Sequence, residues 1–106
     1  MTEEEVVEIE QKIVSTMISF AIDKGYLVSV HDGEEWCLKR SIDADKILLD
    51  AMSVDESSLL FRDSKTGRNT GTIYLVFGNG REVVCDHTDV PEIEEIVNSA
   101  RSLTDE

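Results

Sequence analysis

Two glycine-bearing turns, Asp32-Gly33 and Gly78-Asn79-Gly80, each sit between stretches whose apolar residues recur at every second position. A period of two is a strand signal, and a tight glycine turn between two such stretches specifies a hairpin. Tyr26, Val28 and Val30 precede the first turn; Trp36 and Leu38 follow it. A two-residue turn would set Trp36 and Leu38 on the face opposite Val28 and Val30. A three-residue loop, His31 to Gly33, pairs Val28 with Trp36 and Tyr26 with Leu38, and gathers all five side chains on one face. Because a one-residue slip swaps faces, the apolar pattern predicts the three-residue loop, with Gly33 left-handed. The same reasoning at the second turn, between strands 71–77 and 81–86, collects Ile73, Leu75, Phe77, Val83 and Cys85 on one face.

Helical periods flank these hairpins. Thr2 and Glu5 form a capping-box pattern, Glu3 to Glu5 suit the positive end of a helix dipole, and Gly25 suits its exit, so residues 2–24 read as a helix. Its apolar arc spans roughly half the circumference, wider than a minimal core stripe, which implies contacts beyond its own sheet. Asp43 is placed to cap a short helix carrying Ala44, Ile47, Leu48, Ala51 and Met52 at helical spacing. Ser58 to Asp63 reads as a strand, 65–70 as a polar loop, and Pro91 opens a last helix with Ile93, Ile96, Val97, Ala100 and Leu103 inward. The expected fold is a single α+β domain over 1–106, in α-β-β-α-β-β-β-α order. It has a largely antiparallel five-stranded sheet with helices packed mainly on one face, and frayed ends at 1–2 and 104–106. The other face, with Leu27, Ser29, Cys37, Lys39, Tyr74, Val76, Glu82, Val84 and Asp86, is more apolar than a fully wet surface needs, which suggests either that it binds a partner or that a helix covers part of it.

Charge narrows the function. The chain carries 23 acids against 10 Lys and Arg, a formal charge of −13. Residues 1–25 hold six acids and two bases, and residues 91–106 hold five acids and one base, so the first and last helices are the anionic elements. Such a balance opposes direct nucleic-acid contact and anionic membranes, both of which require cations. The acidic N-terminus is unlike a signal peptide, and no apolar stretch reaches the roughly 20 residues of a spanning helix. A cytoplasmic protein is expected.

No motif for catalysis, cofactor or metal emerges. Cys37 and Cys85 read as reduced, half-buried thiols. With His31 and His87 they lack paired zinc spacing, and the register puts the cysteines on opposite sheet faces. An enzyme using Cys85 and His87 would need a reactive thiol, whereas Cys85 is expected in the core. Gly78-Asn79-Gly80 lies between strands and reads as turn chemistry alone, with no helix N-terminus to bind an anion. Glu10 is the misplaced carboxylate: it falls inside the apolar arc of the first helix, and either faces an Arg such as Arg62 or Arg81 or overhangs the domain edge. The candidate partner-binding residues are Glu4, Glu5 and Glu8 on the outer face of the acidic helix, and Trp36, Lys39 and Arg40 in a basic island beside the only Trp. The bland reading of the island is a core Trp with two solvated cations.

Asp32-Gly-Glu-Glu-Trp-Cys-Leu-Lys-Arg-Ser41, followed by Phe77-Gly-Asn-Gly80 and Val84-Cys-Asp86, resembles small accessory proteins of tailed phages and plasmids. The likeness spans Tyr26 to His87, with Phe77 where that pattern has Tyr. It implies a phage or mobile-element setting in a bacterial host cell and supplies no site residues. The expected function is that of a non-enzymatic acidic protein that binds another protein. The partner would be basic, such as a nucleic-acid-binding or defence factor whose natural ligand the acidic helices mimic. A structural homodimer is the alternative.

Overall fold

Helix α1 (Glu3–Asp23) begins on a complete capping box. The Glu5 amide donates to Thr2 Oγ1 at 3.2 Å, and the Thr2 amide donates to Glu5 Oε1 at 3.3 Å. Thr2, expected to fray, is therefore the helix's N-cap. The helix stops at Gly25, whose φ of +92° is the left-handed exit that glycine favours. The structure is a computed structural model and describes residues 1–104. Thr104 closes a helical turn, and the fraying expected at 105–106 lies outside the described residues.

After α1 come β1 (Tyr26–His31), β2 (Trp36–Ser41), α2 (Ala44–Ala51), β3 (Glu56–Asp63) and β4 (Asn69–Val76). A 3-10 turn (Gly80–Glu82), β5 (Val84–His87), α3 (Pro91–Asn98) and α4 (Arg101–Thr104) complete the chain. The five strands form one antiparallel sheet in the order β2-β1-β3-β4-β5. This is the expected α+β architecture, except that the last helix divides at Ser99 and Ala100 into α3 and α4. Asp43 caps α2 as expected, its carboxylate accepting the Lys46 amide at 3.2 Å.

The core is a single layer between helices and sheet. Val28, Val30, Leu59, Phe61, Ile73 and Leu75 are fully buried against Ile13, Met17 and Ile18 of α1, Ile47 of α2 and Ile93 and Ile96 of α3. Alternate strand residues, Ser29, Leu60 and Tyr74 among them, stay partly exposed, so the second sheet face is open. Gly71 of β4 admits α3: a Cβ there would lie 2.6 Å from Ile93 Cγ1 and 3.0 Å from Thr88 Cβ.

Both hairpin registers depart from expectation. In the first, the loop holds four residues, Asp32 to Glu35, and His31 faces Trp36 while Val30 faces Leu38 and Val28 faces Ser41. Asp32 imposes this. Its Oδ1 accepts the amides of Glu34 at 2.8 Å and Glu35 at 2.7 Å, and its own amide donates to the Glu35 carbonyl at 3.0 Å. Two register shifts then let Leu38 reach the core while Trp36 does not: Trp36 is 46% exposed. The pairing of Val28 with Trp36 and of Tyr26 with Leu38 is thus overturned, and so is the core Trp. The second shift leaves Arg40 at φ +50°, the one non-glycine residue among those described with positive φ. That conformation costs an L-residue about 1 kcal/mol.

In the second hairpin the 3-10 turn intrudes before β5. Leu75 faces Val84, Tyr74 faces Asp86, and the shift between them makes Cys85 the extra residue. Val83 is buried as expected, Phe77 is half-buried against the core, and Cys85 is exposed rather than in the core.

Candidate functional site

Glu10 is 2% exposed, and its partner is neither Arg62 nor Arg81. Its Oε2 accepts three consecutive backbone amides, those of Gly78 at 2.8 Å, Asn79 at 3.1 Å and Gly80 at 3.1 Å. Positive φ at Gly78 (+101°) and Gly80 (+64°), either side of Asn79 at −99°, turns the three N–H groups toward one point. Successive amides arranged this way form an anion-binding concavity. The Gly78-Asn79-Gly80 turn therefore does bind an anion, and the anion is the chain's own carboxylate. No helix N-terminus is needed as donor, because the turn itself donates.

The Glu10 latch ties the N-terminal half of α1 to the turn, and a cleft of ≈ 900 Å³ lies beside it. Val6, Val7, Met52, Val54 and Phe77 supply apolar lining. Glu3, Glu4, Glu8 and Asp55 supply exposed carboxylates, and no Lys, Arg or His lines it. Val7 is 50% exposed here, unusual for the face of a helix that elsewhere buries Ile13, Val14 and Met17 completely. Of the three acidic candidates, Glu4 and Glu8 line this cleft, while Glu5 is engaged in the capping box.

The other three candidates gather on the opposite side of the sheet. Trp36, Lys39 and Arg40 line a hollow of ≈ 500 Å³ with Ser29, Leu60, Arg62 and Asn69. Trp36 stands edge-on to His31 with ring centroids 4.9 Å apart, and Lys39 Nζ lies 5.9 Å from the Trp36 centroid. The island is thus a surface feature, and sequence reasoning missed that β3 adds Arg62 to it.

The cysteines do not build a reactive centre. Both are exposed, which corrects the half-buried reading. The Cys37 thiol pKa is raised by desolvation of its sulfur and by the carboxylate of Asp32, so it is a poorer thiolate than a free cysteine. The His87 ring Nδ1 lies 3.1 Å from the Thr88 carbonyl, the contact that orients this imidazole. Among the described residues no three His, Cys, Asp or Glu are placed to hold a metal ion, and no helix is long and apolar enough to cross a membrane.

Two carboxylates make stability depend on pH in opposite senses. Glu94 is hydrogen-bonded to Asp89, and this contact with the repulsion between them raises the Glu94 pKa. Its contribution to stability is full below the unfolded value and is lost as pH rises through the raised folded value. Asp32, whose carboxylate accepts the Glu35 and Glu34 amides, has a lowered pKa. Its contribution is present above the unfolded value and is lost as pH falls through the lowered one. Glu94→Gln should therefore be more stable than the parent near neutral pH, where it removes a repulsion. That gain should vanish in acid, below the ordinary carboxylate range, where Glu94 already carries its proton. Urea unfolding at both pH values checks this; a gain that persists in acid would refute it.

Comparison with protein-family models, characterised proteins and solved structures yields no match to this chain.

Proposed function

We propose that this is a non-enzymatic accessory protein that acts by binding another protein, and that the cleft beside α1 takes a basic, amphipathic segment of that partner. The observation carrying this reading is the combination of four exposed carboxylates with apolar lining and no Lys, Arg or His side chain, next to a half-exposed Val7. Carboxylates at the rim would speed and select encounter with a cationic segment, and apolar contacts would supply most of the affinity. The resemblance of Tyr26 to His87 to phage and plasmid accessory proteins adds a setting, the cytoplasm of a bacterial host. A basic nucleic-acid-binding or defence factor is then the natural target class. The acidic helices oppose direct nucleic-acid binding for the reason they favour such a target.

The test uses recovery of partners from a bacterial lysate with tagged protein, washed at low and then high salt. Glu4→Lys with Glu8→Lys should reduce recovery of a salt-released basic protein by about tenfold at low salt. Glu92→Lys with Glu95→Lys makes the same change in net charge on α3 and should leave recovery nearly unchanged. Equal losses from both double variants would mean that net charge, not the cleft, does the binding. A second reading, a structural homodimer, draws on the half-exposed Leu60, Tyr74 and Val76 of the open sheet face. Light scattering that shows a monomer at high concentration would remove it.

A further inference from the structure

The hollow on the open sheet face has the opposite character to the rest of the molecule. Three cations line it, Lys39 and Arg40 from β2 and Arg62 from β3, and no carboxylate does. In a chain with 23 acids and 10 bases this exclusion of acids is specific to the place. The single ion pair among the described residues joins Lys46 to Asp50 on α2, so these three cations are not spent on structural pairing. Like charges gathered at one hollow with no carboxylate in its lining are suited to an anion.

The backbone is also arranged around the hollow. The register shift in β2 holds Arg40 at φ +50°, and the Arg40 amide donates to Ser29 Oγ at 2.9 Å. Bulges re-aim side chains, and strained non-glycine residues cluster at functional sites. The Arg62 guanidinium is positioned by donating through Nη1 to the Gly67 carbonyl. Trp36 lines the same hollow with nearly half its surface exposed, at 46%, and Leu60 adds a second apolar wall. Asn69 and Ser29 add uncharged polar groups. A volume of ≈ 500 Å³ lies within the range of small-ligand sites, roughly 300–1,000 Å³.

We infer that this hollow binds a small ligand that joins an oxyanion, a phosphate monoester or a carboxylate, to a flat apolar ring, with Arg40, Arg62 and Lys39 on the oxyanion and Trp36 against the ring. Guanidinium groups suit such oxyanions because their paired donors match two oxygens at once. Size follows from charge. A polyanion such as nucleic acid, or an acidic protein, would extend over a molecule of net charge −13 and be repelled, whereas a ligand with one or two charges meets only the local field.

The protein carries its own reporter, because Trp36 is its only tryptophan. The experiment is a titration of the intact protein followed by Trp fluorescence. Adenosine monophosphate, a carboxylate of the same ring size, inorganic phosphate and a short single-stranded oligonucleotide serve as probes. Saturable quenching by the mononucleotide or the ring carboxylate below about 1 mM is expected, with inorganic phosphate competing only weakly. Which of the two binds tighter tells a phosphate source from a carboxylate source. Arg62→Gln should weaken binding about tenfold. Arg40→Gly should do the same while raising the melting temperature, since glycine accepts the left-handed conformation. Loss of affinity together with gained stability excludes misfolding as its cause. No saturable change with any probe would overturn the inference, as would unchanged affinity in both variants. Inorganic phosphate binding as tightly as the mononucleotide would overturn the ring assignment. An oligonucleotide binding more tightly per site would overturn the small-ligand assignment.

Discussion

Glu10→Ala is expected to lower the free energy of unfolding by about 3 kcal/mol. The substitution leaves the Gly78, Asn79 and Gly80 amides converging on nothing, and Gly80 is buried. Unmet donors cost more than their bonds contributed, because the desolvation penalty remains. For a domain of this size the melting temperature should fall by about 10–20 °C. Glu10→Gln keeps an acceptor oxygen and loses the charge, so about half that effect is expected. Formate should partly restore Glu10→Ala, by placing a free carboxylate in the vacated position, and should leave the parent unchanged. Thermal melts with and without formate measure all of this. A Glu10→Ala melting point within about 2 °C of the parent would mean that the three amides find water without difficulty.

Gly71→Val should be as damaging, for a steric reason. A Cβ at Gly71 would meet Ile93 Cγ1 at 2.6 Å and Thr88 Cβ at 3.0 Å. The Ile93 side chain can rotate, but a Cβ moves only with its backbone. Thr88 is moreover tied to β4, its amide donating to the Thr72 carbonyl at 3.0 Å. Overpacking of this kind costs about 1–3 kcal/mol for alanine, and more for the larger valine. Ile93→Ala alone should cost about 2–5 kcal/mol through the cavity it leaves. Gly71→Ala with Ile93→Ala should then lose less than the sum of the two, by about 1 kcal/mol or more, because one change relieves the other. Strict additivity in urea unfolding would show that α3 does not rest on Gly71.

Both effects concern features that the sequence displayed without explaining. The periodicities were sufficient for the helices, the strands and the α+β arrangement, because each element has an apolar face to bury. Register was less legible. In the first hairpin the apolar pattern favours five apolar residues on one face, but Asp32 sets the loop through hydrogen bonds from the Glu34 and Glu35 amides, which outweigh the preference of one Trp for burial. In the second, the 3-10 turn at Gly80–Glu82 shifts the register and leaves Cys85 exposed, off the face that the pattern assigns to it. The two groups of candidate residues do sit at two separate depressions, except Glu5, which its own capping box occupies. Arg62 could not join Trp36, Lys39 and Arg40 on paper, because β3 reaches that end of the sheet only through pairing with β1. Taken alone, neither Glu10 nor Gly78-Asn79-Gly80 names its partner. A carboxylate on an apolar helix arc and a Gly-x-Gly turn elsewhere in the chain are complementary, and that pairing was the available signal.

The sequence distance between Glu10 and its amides has a consequence for biosynthesis. The latch spans 68 to 70 residues. At about 5–20 residues per second, a ribosome delivers Gly78 roughly 3–14 seconds after Glu10. Throughout that interval α1 lacks its latch and a complete sheet, and part of its apolar arc lies open to other nascent chains and to chaperones. The carboxylates of Glu3, Glu4, Glu5 and Glu8 surround the end of the helix that emerges first. They give the emerging helix a hydrated, repulsive end, a safeguard against aggregation that acts before there is any folded domain.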